Sequence, residues 1–214
     1  MGTLFRWITR VLLLFFLATG GLIWFVFFSA RPALTMDPKV LAGDGSTLNY
    51  CELPILDNSG KRAIDIPKGN TPGCSYIRFP MPILSECTEP LPEAAADIRG
   101  LWRGVSGKVG HVERIEQCGN RVVVTAYGTI HDFRLDGTLR NGARDVGGAC
   151  NNFHTAIHVN EEGIMVFRLF DWFDTVTRRM QGENMVFTFI DGVSTRTERI
   201  CEYPQNIALD GFKN

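Results

Sequence analysis

The sequence predicts a mainly β protein: an N-terminal transmembrane helix followed by an antiparallel up-and-down β-barrel, with a β-sandwich as the alternative. Three observations predict it. Residues 1–30 hold 8 of the 23 aromatic residues and only two charges, Arg6 and Arg10. Nine of the ten prolines fall between Pro32 and Pro92. From Asp97 onward, short runs rich in Val, Ile, Thr and Phe alternate with turn dipeptides.

The first element is Val11–Ala30, twenty residues without a charge after a short tail at 1–10. At about 1.5 Å per residue, such a helix spans the hydrocarbon core of a bilayer. Trp7 and Trp24 stand near its ends, where indole rings favour the interface. A cleaved signal peptide is the competing reading. Cleavage after Ala30 would put the large Phe28 at −3, and cleavage after Gly20 would leave LIWFVFF exposed. An uncleaved signal-anchor is therefore expected. Arg6 and Arg10 on the N-side favour a cytoplasmic tail with the body extracytoplasmic, in the periplasm or at the cell exterior.

Cysteine usage agrees with that side. Cys51, Cys74, Cys87, Cys118, Cys150 and Cys201 all lie in the body, and no pair has the close spacing of a structural zinc site. In an oxidising compartment they make up to three disulfides, with fifteen connectivities open. No N-glycosylation acceptor occurs. The 184 residues after the anchor carry 20 basic and 23 acidic side chains, a net charge of −3. That balance speaks against nucleic-acid binding, which calls for a basic surplus.

Residues 31–45 read as a linker. Residues 46–96 read as a Pro-rich, disulfide-stapled irregular layer, because Leu48–Leu56 and Tyr76–Leu84 are too apolar for a solvated tether. Fixed φ and missing N–H groups make such a chain a poor ladder member. The barrel domain is expected over 97–201, before a C-terminal tail at 202–214.

Ten strands are inferred in the barrel: 101–106, 111–118, 121–127, 129–135, 143–147, 153–159, 164–170, 175–181, 185–190 and 193–200. Between them lie Gly119-Asn120, Asp136-Gly137, Asn141-Gly142, Glu162-Gly163, Gly182-Glu183 and Asp191-Gly192, which supply the positive φ of tight hairpins. Turns every 8–12 residues without a helical pattern indicate a meander. A sheet of that size protects its edges by closing.

Asp97-Ile98-Arg99-Gly100-Leu101-Trp102 resembles the start of a lipocalin-like barrel, where a short turn leads into Gly-x-Trp on the first strand. The resemblance implies a Trp closing one barrel end with an Arg of the last strand packed across it, here Arg196 or Arg199. It covers about residues 97–201 and implies a small apolar ligand in the barrel. Trp102, His131, Phe133 and Arg199 are the candidate ligand-binding residues. His131 shares the more apolar face of its strand with Thr129, Phe133 and Leu135, so it points inward.

Other constellations carry less. His154 and His158 lie about 13 Å apart on a strand, too far for one metal. Glu113 and Glu116 face opposite sides of theirs. Nucleophile-elbow, P-loop, zincin and dinucleotide motifs are missing, and no metal or cofactor is implied. FRLFDWF (Phe167–Phe173) reads as strand core ending in a loop, with Trp172 as its exposed aromatic. The expected function is a membrane-anchored extracytoplasmic binding protein for a small apolar ligand or an envelope protein partner. The alternative is a non-catalytic structural or assembly factor of the envelope. A barrel enzyme or haem binder using His131 comes third.

Overall fold

A computed structural model describes residues 2–27, 42–69, 71, 76–146 and 151–205; for residues 3, 25–27, 140–146 and 151–154 it describes the backbone alone. The expected Cys74 and Cys150 pairings, the linker up to residue 41 and the tail from residue 206 lie outside the described residues.

The chain opens with one helix, α1 (Gly2–Phe27), in which Leu4–Trp24 is apolar and long enough to cross a membrane. It begins well before the expected 11–30. Arginine is a good helix former, so Arg6 and Arg10 mark a change of charge and not a helix end.

Ten strands follow: β1 (Gly100–Gly104), β2 (Val112–Cys118), β3 (Arg121–Ala126), β4 (Thr129–Arg134), β5 (Arg140–Val146), β6 (Asn151–Val159), β7 (Met165–Leu169), β8 (Phe173–Gln181), β9 (Asn184–Phe189) and β10 (Ser194–Ile200). Each pairs antiparallel with its sequence neighbour, except that β4 and β5 share no ladder. The first and last strands also pair, Trp102 opposite Arg199, so the meander curls into a nearly closed barrel. Glycines 119, 137, 163, 182 and 192 all take positive φ, as their turn dipeptides predict.

One inferred turn is corrected. Asn141-Gly142 lies inside β5, where the pairing with β6 shifts register between Asn141 and Ala143. Glycine in a strand marks a bulge as readily as a turn.

Two apolar cores lie on opposite sides of one half of the sheet. The barrel interior holds Trp102, Ile115, Val122, Val124, Phe133, Ile157, Phe167 and Phe187. The outer face of β1–β4 contributes Leu101, Val123 and Ile130 to a second core with Tyr50, Phe79, Ile83 and Leu84 of the Pro-rich layer. Hence every residue of β3 is buried, whereas β10 alternates between buried and less buried positions. Strands covered on both faces read as continuous apolar runs, and the three successive valines of β3 follow that rule.

The layer has almost no secondary structure, so its carbonyls need donors from elsewhere. Two buried arginines on the outer face of the barrel provide them. Arg121 of β3 donates to the carbonyls of Ala63 (3.0 Å), Ile66 (2.6 Å) and Pro67 (2.6 Å). The same guanidinium forks onto Asp132 of β4 at 2.9 and 2.6 Å, and Asp132 also accepts from the Gly69 N–H. Arg114 of β2 donates to the carbonyls of Pro80 (2.5 Å) and Met81 (3.2 Å) and to the Tyr50 hydroxyl (2.9 Å). Its guanidinium carbon lies 4.8 Å from the centre of the Phe79 ring. Two disulfides complete the attachment: Cys87–Cys118 joins the layer to the end of β2, and Cys51–Cys201 joins it to the residue after β10. The layer also reaches the barrel's open edge. The Ile130 N–H of β4 donates to Thr71 Oγ1 at 2.6 Å.

Two substitutions test this attachment. Arg121→Met leaves the Asp132 carboxylate and three carbonyls buried without their donor, and is expected to cost about 3–5 kcal/mol in denaturant unfolding. Gly45 begins a short 3-10 turn, and a Cβ there would lie 2.2 Å from the Pro80 carbonyl oxygen. Gly45→Ala is therefore expected to destabilise by roughly 1–3 kcal/mol in the same measurement.

Candidate functional site

Of the residues expected to bind a ligand, Trp102, His131 and Phe133 face the barrel interior, whereas Arg199 is exposed beside Trp102 at one end. Trp102 is fully buried, and its Nε1–H donates to the Ile98 carbonyl at 2.9 Å. The Arg199 guanidinium carbon lies 4.8 Å from the Trp102 ring centre, so of the two arginines implied by the resemblance it is Arg199 that packs across the indole. His131 and Phe133 lie on β4, with ring centres 6.1 Å apart and nearly parallel planes. His131 Nε2 meets Thr129 Oγ1 at 3.0 Å, while its Nδ1 is buried without a hydrogen-bond partner.

The barrel also encloses a charge cluster that sequence reasoning missed. Arg178 of β8 forks onto Glu113 of β2, at 2.8 Å from Nη2 and 3.3 Å from Nε. His111 Nε2 stands 3.5 Å from the same carboxylate, and its Nδ1 is buried without a partner. Arg178 further covers the Phe167 ring at 4.8 Å. Burial alone would raise the Glu113 pKa, but the Arg178 charge and hydrogen bonds from His111 and Arg178 hold it down at about 2. Burial pushes His131 the other way from its usual value, to about 4, and the Arg178 charge adds to the effect. At neutral pH the interior therefore holds an ionised pair beside a neutral imidazole.

Outside the barrel, between the layer and the wall formed by β1 and β2, lies a cleft of about 510 Å³. Leu48, Leu53, Pro54, Pro82 and Leu84 give it apolar walls. Four charged side chains also line it, Glu52, Arg99, Arg114 and Glu116, two of each sign. Arg99 is committed elsewhere, to Asp97 at 2.7 Å and to the Pro54 carbonyl at 2.7 Å. Glu116 is buried, and its Oε1 accepts from the Leu84 N–H at 3.3 Å. Its Oε2 has no hydrogen-bond partner, nor has Arg114 Nε, and these two buried atoms face each other at 3.8 Å. Burial raises the Glu116 pKa more than the Arg114 charge lowers it.

Glu113 and Glu116 thus act on opposite sides of one strand, as their spacing requires. The cleft itself had no sequence signal, because one of its walls is the layer, which has no period to read. The unbroken burial of β3 offers the missing clue. A strand next to one covered on both faces must bury its own charges too, and VERIEQC of β2 holds Glu113, Arg114 and Glu116.

Of the remaining histidines, His158 lies on β6 opposite Val166, and the His154 side chain falls outside the described residues. Trp172 is 74% exposed at the turn between β7 and β8. No family model, curated protein or solved structure matches the chain.

His131 makes the acid side of the stability profile testable. Its folded pKa is depressed, from 6.5 to about 4. Its contribution is present above 6.5 and is lost as pH falls from 6.5 towards 4, because the unfolded chain takes up the proton first. In His131→Gln, denaturant midpoints between those pH values are expected to vary less steeply than in the parent protein.

Proposed function

We propose that this chain is a membrane-anchored extracytoplasmic binding protein of lipocalin-like build, taking a small, largely apolar ligand. The observation that carries the reading is the cleft of about 510 Å³, apolar on most of its lining and furnished with a few buried polar groups. Small-molecule sites have this composition and fall in this range of volume. The apolar helix Leu4–Trp24 and the two disulfides support the location. Disulfides persist in oxidising compartments, and a helix of that length and composition suits a bilayer anchor.

The barrel interior serves this function as a rigid scaffold. Trp102, Phe133, Phe167 and Phe187 fill it, and the Glu113–Arg178 pair crosslinks β2 to β8. Trp102 and Arg199 brace one end of the barrel, while His131 and Phe133 stabilise β4.

A second reading, an envelope assembly factor, draws on the end of the barrel that carries the β1–β2, β7–β8 and β9–β10 turns. There Val109, Trp172, Phe173 and Ile190 are each more than half exposed, and exposed apolar patches mark interaction surfaces.

Purification of the full chain from its native membrane, followed by native mass spectrometry and solvent extraction, separates these readings. A stoichiometric small molecule is expected, and Leu53→Trp, which narrows the cleft, is expected to lose it. A stoichiometric protein partner without an extractable molecule would support the assembly reading and overturn the first.

A further inference from the structure

We infer that one end of the barrel docks on the surface of the bilayer to which the chain is anchored, with the apolar tips of its turns inserted among the lipids. This inference rests on the anchored location proposed above and is independent of the cleft. Alternate connections of an antiparallel meander share an end, so the β1–β2, β3–β4, β7–β8 and β9–β10 turns lie together and follow one another around the rim. Each carries exposed apolar side chains: Val109, Tyr127, Trp172 with Phe173, and Ile190 with Val193. Among the described residues, the four connections at the opposite end carry one exposed large apolar residue between them, Leu139. Exposed Ile77 of the layer belongs to the first group, because its neighbour Tyr76 donates its N–H to the Gly128 carbonyl of the β3–β4 turn at 2.8 Å.

The backbone of this end is unusual as well. Tyr127 takes a φ of 50°, and Phe170 and Asp171 take 54° and 60°. Three of the four non-glycine residues with positive φ among the described residues therefore sit in two of these turns. Glycine or asparagine would close the same hairpins with less strain. Bulky residues held in such a conformation are a feature of functional surfaces.

A bilayer is the occupant that this end fits. Aromatic side chains favour the headgroup boundary, where the ring is buried and the polar edge of Trp or Tyr stays wet. Separate apolar tips enter lipid without the complementary surface that a protein partner would have to supply. Arg168 pairs with Asp171 at 3.0 Å and Asp174 at 3.1 Å, and Asp191 accepts from the Val193 N–H at 2.9 Å. Lys108 and Arg168 do not outnumber these three aspartates, so the contact draws on apolar burial and needs no anionic lipid.

The tether permits this docking. Fourteen residues separate Phe27 from Ala42, at most about 50 Å of chain. The chain then meets the half of the layer nearer the apolar end. The Gly45 N–H donates to the Phe79 carbonyl at 2.7 Å, three residues from Tyr76. By Tyr50, whose N–H donates to the Cys201 carbonyl at 2.7 Å, the chain has reached the opposite end.

The test uses the full chain reconstituted in phosphatidylcholine vesicles, with Trp172→Phe as the reference, so that the difference in emission belongs to Trp172. Lipids brominated in their acyl chains quench fluorophores that reach them, and iodide on both sides of the vesicle quenches those that face water. The Trp172 emission is expected to lose most of its intensity to the bromolipid and to resist iodide. Val109→Asp combined with Ile190→Asp sets two charges in the inserting face at exposed positions, where charge in lipid is costly. That variant is expected to lose the bromolipid quenching and gain iodide quenching, with folding checked by near-ultraviolet circular dichroism.

Trp172 emission left undiminished by the bromolipid would overturn the inference while leaving the anchor standing. Protection from iodide that arises only in native membranes would assign this end to a protein partner, and would overturn it too. Release of the chain from the vesicles by alkaline carbonate would remove the anchor, and with it both this inference and the proposed location.

Discussion

The structure depends on guanidinium groups that do the work of a missing β-ladder. A segment rich in proline lacks N–H groups and cannot pair as a strand, yet each of its residues keeps a carbonyl that must be satisfied once buried. Arginine suits the task because it presents five donors in a fixed fork and never loses its charge. Arg121 gathers the carbonyls of Ala63, Ile66 and Pro67, Arg114 those of Pro80 and Met81, and both hold them against the barrel wall. Asp132 balances the first charge at hydrogen-bond distance. Glu116 balances the second less closely, at 3.8 Å. That difference leaves the Arg121 site closed and the Arg114 site with bonding capacity to spare, and the second is the one that borders the cleft.

The same attachment explains the asymmetry of the barrel. Where the layer lies, β1–β4 are buried on both faces and their outward residues join a second core. On the far side, β8 and β10 show partly exposed outer faces. The interruption in the barrel falls between β4 and β5, and there the layer supplies a side-chain acceptor to an edge N–H of β4. An edge strand covered by loop is protected against pairing with another chain. The layer therefore covers part of the β4 edge as well as building the cleft.

The strand meander was legible in the sequence because its signals are local. Alternation and turn dipeptides located all ten strands to within a few residues, while the lipocalin-like resemblance set Arg196 or Arg199 across Trp102 and left the choice to the structure. Asn141-Gly142 misled because a bulge and a turn use the same residues. The two disulfides drew on cysteines that parity had grouped, but spacing could not say which pair with which. The charges were not legible for a different reason. Glu113 and Arg178 lie 65 residues apart, and Arg114 and Pro80 lie 34 apart. Alternation on a strand assigns a charge to a face, but only the packing of distant segments decides whether that face meets water.

The Cys51–Cys201 bridge closes a loop of 150 residues, from the start of the layer to the end of β10. Its mechanical consequence concerns how the body answers a pull on the N-terminal helix. Tension entering along residues 42–50 meets a covalent link within a few residues and passes straight to the last strand. β10 lies at the seam, hydrogen-bonded to both β1 and β9, so the load is divided between two ladders and neither is peeled from its end. Leu48 and Tyr50 of the cleft wall lie on that line of force, and the rest of the layer lies off it. A pull transmitted from the helix would therefore load one wall of the cleft before the bridge carries it to β10.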